Sequence, residues 1–158
     1  MSAWQCDFVL VPASALSTEP LSQSPDDLLA ADWWATCQPP ADFESRIPDA
    51  LAERESWSPD LRTYGVEDGT RIDVWREANR IDSIRVRIDA RQIELDSLRE
   101  IVRLAVYCDA AFLRHDGLFI PADDQALTSA VDTSAAARFV NDPSAFIRRI
   151  ALGDERDG

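Results

Sequence analysis

The chain has 158 residues with 46% apolar and 28% charged side chains, the balance of one soluble globular domain with a single core. Its net charge is −13, all sixteen basic residues being Arg, and such an acidic surface repels a phosphate backbone, so nucleic acid is excluded as a partner. No apolar run approaches the about 18 residues of a membrane span, and "MSAWQCDFVLVP" lacks a basic leader region, so membrane and secretory readings are set aside.

Enrichment in Arg, Ala and Asp without Lys is the pattern of GC-rich codons and points to a bacterial gene. The charge is uneven. Residues 1–70 hold thirteen acids against three Arg, 71–122 nine against nine, and 123–158 seven against four. Cys6, Cys37 and Cys108 lie far apart with no CxxC spacing, which argues for reduced thiols in the cytoplasm rather than a disulfide framework.

In chain order, "CDFVLVP" (6–12) reads as a buried strand stopped by Pro12, and 13–25 as a Ser/Pro-rich loop. "SPDDLLAADWWATC" reads as a helix with Ser24 at the N-cap, Pro25 at N1, and Asp26 and Asp27 favouring the dipole. Gln38-Pro39-Pro40 ends it. Residues 41–56 suggest a helical turn or two broken at Pro48, and 58–69 a loop. "TRIDVWRE" (70–77) and "IDSIRVRIDA" (81–90) alternate with period two and form a hairpin. A three-residue connection, Ala78 to Arg80, sets Val74 opposite Ile84, Ile72 opposite Val86 and Asp73 opposite Arg85.

"RQIELDSLREIVRLAVYCD" (91–109) is the clearest helix, with Leu95, Leu98, Ile101, Val102, Ala105 and Val106 on one stripe. A second hairpin follows about Asp116-Gly117, a pair suited to a type I′ turn, which places His115 opposite Leu118. The tail reads as helices, the last capped by Asp142 with Phe146, Ile147 and Ile150 inward and Gly153 as its stop. "DERDG" reads as a frayed, disordered acidic end, leaving 1–153 as one domain. The order strand, helix, strand, strand, helix, strand implies an α+β fold. We expect an antiparallel sheet of four to five strands in ferredoxin-like βαββαβ order, helices on one face and extra C-terminal helices.

That fold would leave Asp73, Trp75, Glu77, Arg85, Arg87 and Asp89 on the other sheet face, with Asp7, Val9 or Val11 beside them. Such a row is a solvated ion-pair ladder, a face covered by the C-terminal helices, or a docking surface, because Trp and Arg are the residues of interface hot spots. Trp33 and Trp34 adjoin and cannot share a helix face, so one enters the core and the other packs under a loop or lies exposed. Trp34, in the acidic half, joins the candidate binding residues Asp73, Trp75, Arg85, Arg87 and Asp89.

No cofactor, metal site or catalytic residue is expected. His115 is the sole His, the acidic doublets Asp26/Asp27 and Asp123/Asp124 sit at helix starts where capping explains them, and no phosphate-cradling or nucleophile-elbow motif occurs. The leading reading is a non-enzymatic binding protein that occludes a basic protein partner, its charge steering association. In size and charge it resembles toxin-immunity proteins as a general type. A second reading is a small-molecule sensor or small enzyme whose anion pocket, between the sheet and residues 38–69, is lined by Arg85, Arg87 and Arg91. A third is a homo-oligomeric structural subunit.

Overall fold

The computed structural model describes residues 2–14 and 24–142. The expected final helix and the acidic end, 143–158, lie outside the described residues, as does most of the Ser/Pro-rich loop. Seven antiparallel strands form one sheet: β1 (Gln5–Pro12), β2 (Glu53–Arg54), β3 (Leu61–Gly65), β4 (Arg71–Glu77), β5 (Arg80–Asp89), β6 (Ala110–Arg114) and β7 (Phe119–Ile120), in the order β2-β3-β4-β5-β1-β6-β7. Helices α1 (Pro25–Ala30), α2 (Leu95–Tyr107), α3 (Asp124–Asp132) and α4 (Ala135–Asn141) flank it.

This corrects the expected four-to-five-strand ferredoxin-like sheet with helices on one face. Residues 53–54 and 61–65, read as weak helix and loop, are strands. β3 escapes a period-two reading because it has one large apolar residue per face, Leu61 and Tyr64, before Gly65 turns the chain at φ +109°. A Cβ at Gly65 would lie 2.4 Å from the Thr70 carbonyl, so the turn into β4 needs glycine there.

The helices also divide between the faces. On the first face, α2, α3 and α4 bury Leu98, Ile101, Leu127, Val131 and Ala137 against Phe8, Val86 and Phe112. On the second, Leu28 of α1 packs on Val9, Val11, Ala111 and Leu113. Helix α1 starts as expected, the Ser24 hydroxyl accepting from the Asp27 N–H, but it stops at Ala30 rather than reaching Cys37. The tryptophans are the reason. Trp33 donates its indole N–H to the Leu28 carbonyl (2.7 Å) and meets Phe119 edge-on over the second face. Trp34, 1% exposed, enters the first-face core. Neighbours on a helix differ by only about 100°, too little to serve opposite sides of a sheet, so the helix ends before them.

The passage between faces lies where β1 and β5 part company beyond the Val9–Arg85 pair. The indole of Trp34 donates to the Leu10 carbonyl (3.1 Å). Gln38 imitates a strand: its amide oxygen accepts from the Ile81 N–H (2.7 Å) and its nitrogen donates to the Ile81 carbonyl (3.0 Å).

Between β4 and β5 the register is the expected one, with Ile72 opposite Val86, Asp73 opposite Arg85 and Val74 opposite Ile84. The turn differs. Ala78 and Asn79 form a two-residue connection with φ +50° and +65°, and an irregularity between Trp75 and Arg76 leaves Asp82 unpaired and restores the parity. The second hairpin has a three-residue turn, Arg114 N–H donating to the Leu118 carbonyl and Gly117 N–H to the Arg114 carbonyl. His115 therefore sits in the turn rather than opposite Leu118. On α2 the stripe is rotated from the expected one: Leu104 is buried, whereas Leu95 and Val106 are exposed.

Truncating Gln38 to Ala leaves both Ile81 backbone groups unpaired at the parting of the strands. Unfolding by urea should show a loss of about 1–3 kcal/mol, with faster hydrogen exchange at the Ile81 amide.

Candidate functional site

The second sheet face changes character along β1. Val9 and Val11 lie beneath α1, while Asp7, on the same side, begins a field of charge extending across β5 and β4. None of the described helices packs its apolar side on that field; the residues that α3 and α4 bury belong to the first-face core. Of the C-terminal helices expected as cover, α3 and α4 do not supply it; the expected final helix lies outside the described residues.

Alternation and register set the lattice. Arg71 is opposite Arg87, Asp73 opposite Arg85 and Trp75 opposite Ser83 between β4 and β5. Gln5 is opposite Asp89, Asp7 opposite Arg87 and Val9 opposite Arg85 between β1 and β5. Five of the six sequence-derived candidates, Asp73, Trp75, Arg85, Arg87 and Asp89, are thus brought onto one face. Trp34 is not among them: it is buried in the first-face core. Arg71, on the parity of Asp73 and Trp75, was legible from the same alternation but was passed over. Trp57 stands in an irregular, Pro-flanked stretch whose lack of a period assigns it to no face, although an exposed Trp in the acidic half is the mark of a partner site.

The five candidates are not equivalent. Asp73, 3% exposed, is gripped by Arg71, whose Nε and Nη2 donate to its carboxylate at 3.2 and 2.7 Å. Asp89 accepts the Arg91 backbone N–H (2.9 Å) and its guanidinium Nε and Nη2 (3.0 and 2.9 Å). These two carboxylates are consumed in holding the surface together. Arg91, assigned by sequence to an anion clamp, is likewise committed, also donating to the Asp68 carbonyl and lying 4.2 Å from the Trp4 ring centroid.

Asp7 is different. Arg85 Nε and Arg87 Nε approach its two oxygens only to 3.8 and 3.7 Å, beyond hydrogen-bond distance. Asp7 Oδ1, Arg87 Nε and the neighbouring His115 Nδ1 are buried without a hydrogen-bond partner among the described residues. Burial raises the Asp7 carboxyl above the ordinary aspartate range, outweighing the attraction of Arg85, Arg87 and His115.

At the turn end, a polar recess of about 410 Å³ is lined by Ser2, Gln5, Glu67, Asp68, Arg71 and Arg87. At the hairpin end, Trp57 stands 82% exposed in edge contact with Trp75 (centroids 5.4 Å apart). Of the three free thiols, Cys37 is exposed and Cys6 and Cys108 are buried. Burial pushes the Cys6 and Cys108 thiols up to about 11. Among the described residues no three His, Cys, Asp or Glu side chains gather into a metal-binding group, and no helix is long and apolar enough to cross a membrane. No family model matches the chain, and neither a curated protein nor a solved structure matches it.

The raised Asp7 carboxyl has a signed consequence. The folded chain keeps this proton to higher pH than the unfolded chain, so the Asp7 contribution to stability falls as pH rises from the ordinary carboxylate range through the raised value, then levels off. Asp7→Asn should therefore compare more favourably with the parent at about pH 7 than at about pH 3, measured as unfolding free energies at both.

Proposed function

We propose that this chain is a binding protein that occludes a basic protein partner through the hairpin end of its open half-face, with Trp57 and Trp75 as the anchor. The exposure of Trp57 carries the reading: a side chain so large, held in place by a second Trp yet turned to solvent, leaves its apolar area to be covered by something else. Trp and Arg dominate interface hot spots, and Arg85, 41% exposed at its side chain, lies two residues along β5 from Ser83, the residue opposite Trp75.

The chemistry around the pair selects the partner. Glu55 and Asp60 flank Trp57 in its loop, Glu77 follows Trp75 by two residues, and Asp82 adjoins Ser83; all four are exposed. An aromatic anchor with an acidic rim suits a partner presenting Arg or Lys, whose cation can lie on an indole face and be steered there by the net charge of −13. That is the working arrangement of an immunity-type inhibitor held over a basic cleft.

Trp57→Ala should shift unfolding stability by less than about 0.5 kcal/mol while weakening partner binding at least about tenfold. Parallel capture from extracts of the source organism on immobilised parent and Trp57→Ala chains, followed by binary titration of the retained protein, checks this. A basic protein held by the parent and lost by the variant is the expected result; equal retention by both overturns the proposal. Light scattering distinguishes a second copy of the chain as occupant.

A further inference from the structure

Arg87 occupies an unusual position for a guanidinium. Its side chain is 16% exposed, and no hydrogen bond among the described residues involves its donors; its one ion-pair contact is the 3.7 Å approach of Nε to Asp7. A guanidinium carries five N–H donors in a fixed fork, and the Arg87 Nε–H is buried without a partner, which is costly, whereas its Nη groups are not among the buried unmet atoms. Directly opposite on β4 stands Arg71, a second cation, itself paired with Asp73. Both arginines line the polar recess of about 410 Å³ at the turn end of the half-face, with Ser2 and Gln5 beside them.

The walls of that recess are already built. Gln5 Nε2 donates to the Glu67 and Gly69 carbonyls (3.2 and 2.8 Å), and Arg71 Nη1 donates to the Glu67 carbonyl (3.2 Å). Arg71 is further fixed by Asp73. The loop and the Arg71 charge are thus tied down by groups that are spent, while the Arg87 guanidinium makes no hydrogen bond among the described residues.

We propose that this recess is a binding site for a single carboxylate, received by the planar fork of Arg87 and screened from repulsion by the fixed charge of Arg71. Planar, two-oxygen geometry matches a guanidinium bidentately, and the anion would lie between two cations that otherwise face each other. The carboxylates of Glu67 and Asp68, exposed on the same lining, oppose a multiply charged ligand, so a polyphosphate is disfavoured. The carboxylate belongs either to a small organic acid or to a polypeptide, as a C-terminus or acidic side chain. Nothing in this site involves Trp57, so it stands independently of the docking proposal.

The test is titration of the full ¹⁵N-labelled chain with sodium acetate and with N-acetylalanine, against chloride at matched ionic strength, read at the arginine Nε–H resonances. The Arg87 resonance should move saturably with a dissociation constant on the order of 1 mM. Arg87→Lys, which keeps the charge but loses the fork, should bind at least about tenfold more weakly. Saturation by both probes supports a small-acid site; saturation by N-acetylalanine with acetate silent supports a polypeptide carboxylate. An Arg87 resonance unmoved by either probe at roughly tenfold above that concentration, or equal binding by Arg87→Lys, overturns the proposal. Because the first readout uses the parent chain, a variant that fails to fold does not obscure the answer.

Discussion

Between Asp7 and Val9, two residues apart on the same side of β1, the second sheet face passes from charge to hydrocarbon. That boundary governs the molecule. On the hydrocarbon side Leu28 of the six-residue helix α1, with Trp33 just beyond its end, packs on Val9, Val11, Ala111 and Leu113. On the charged side none of the described helices packs, and burying guanidinium and carboxylate groups without close partners costs several kcal/mol per ion.

Within the open half, charge is divided between structural and unspent groups. Asp73 with Arg71, and Asp89 with Arg91, form close multidentate pairs, each donor and acceptor on the same strand or its extension. Such pairs lie flat along the sheet and contribute order more than net stability, since the gain in attraction is offset by lost hydration. Asp7, Arg85 and Arg87 form the remainder: one carboxylate against two guanidiniums, at distances too long to bond. A perturbed carboxyl and an unsatisfied guanidinium side by side are what distinguish a site from a ladder.

The two ends of the half-face offer different chemistry. Trp75 and Arg71 are four residues apart on β4, about 13 Å at the usual strand rise. The aromatic anchor lies at the hairpin end within an acidic rim, and the arginine recess lies at the turn end, bounded by the Glu67 and Asp68 loop. One extended ligand could touch both, and a short one could not. The first face contributes indirectly, through the 3₁₀ turn at Phe43–Arg46, where Glu44 receives Tyr64, Arg62 and Arg76 and so ties β3 and β4 together.

Local pattern determined a good part of this. Period-two alternation in 70–90 set the β4–β5 register and the shared face of Asp73, Trp75, Arg85, Arg87 and Asp89, because a one-residue slip would have turned Ile72, Val74, Ile84 and Val86 to water. Helix α2 and the start of α1 were equally legible, from a 3.6-residue stripe and from Ser24-Pro25. Tertiary structure alone decided the rest. It ended α1 at Ala30, since two adjacent tryptophans are drawn to opposite sides of the sheet, and it made strands of 53–54 and 61–65, which have too few apolar residues to leave a period and are fixed by pairing with the neighbouring strands. It also divided the charged row, burying Asp73 and Asp89 while leaving Arg87 unbonded: alternation assigns a residue to a face, but only the positions of Arg71, Arg91 and the 66–70 loop determine which charges on that face are already answered.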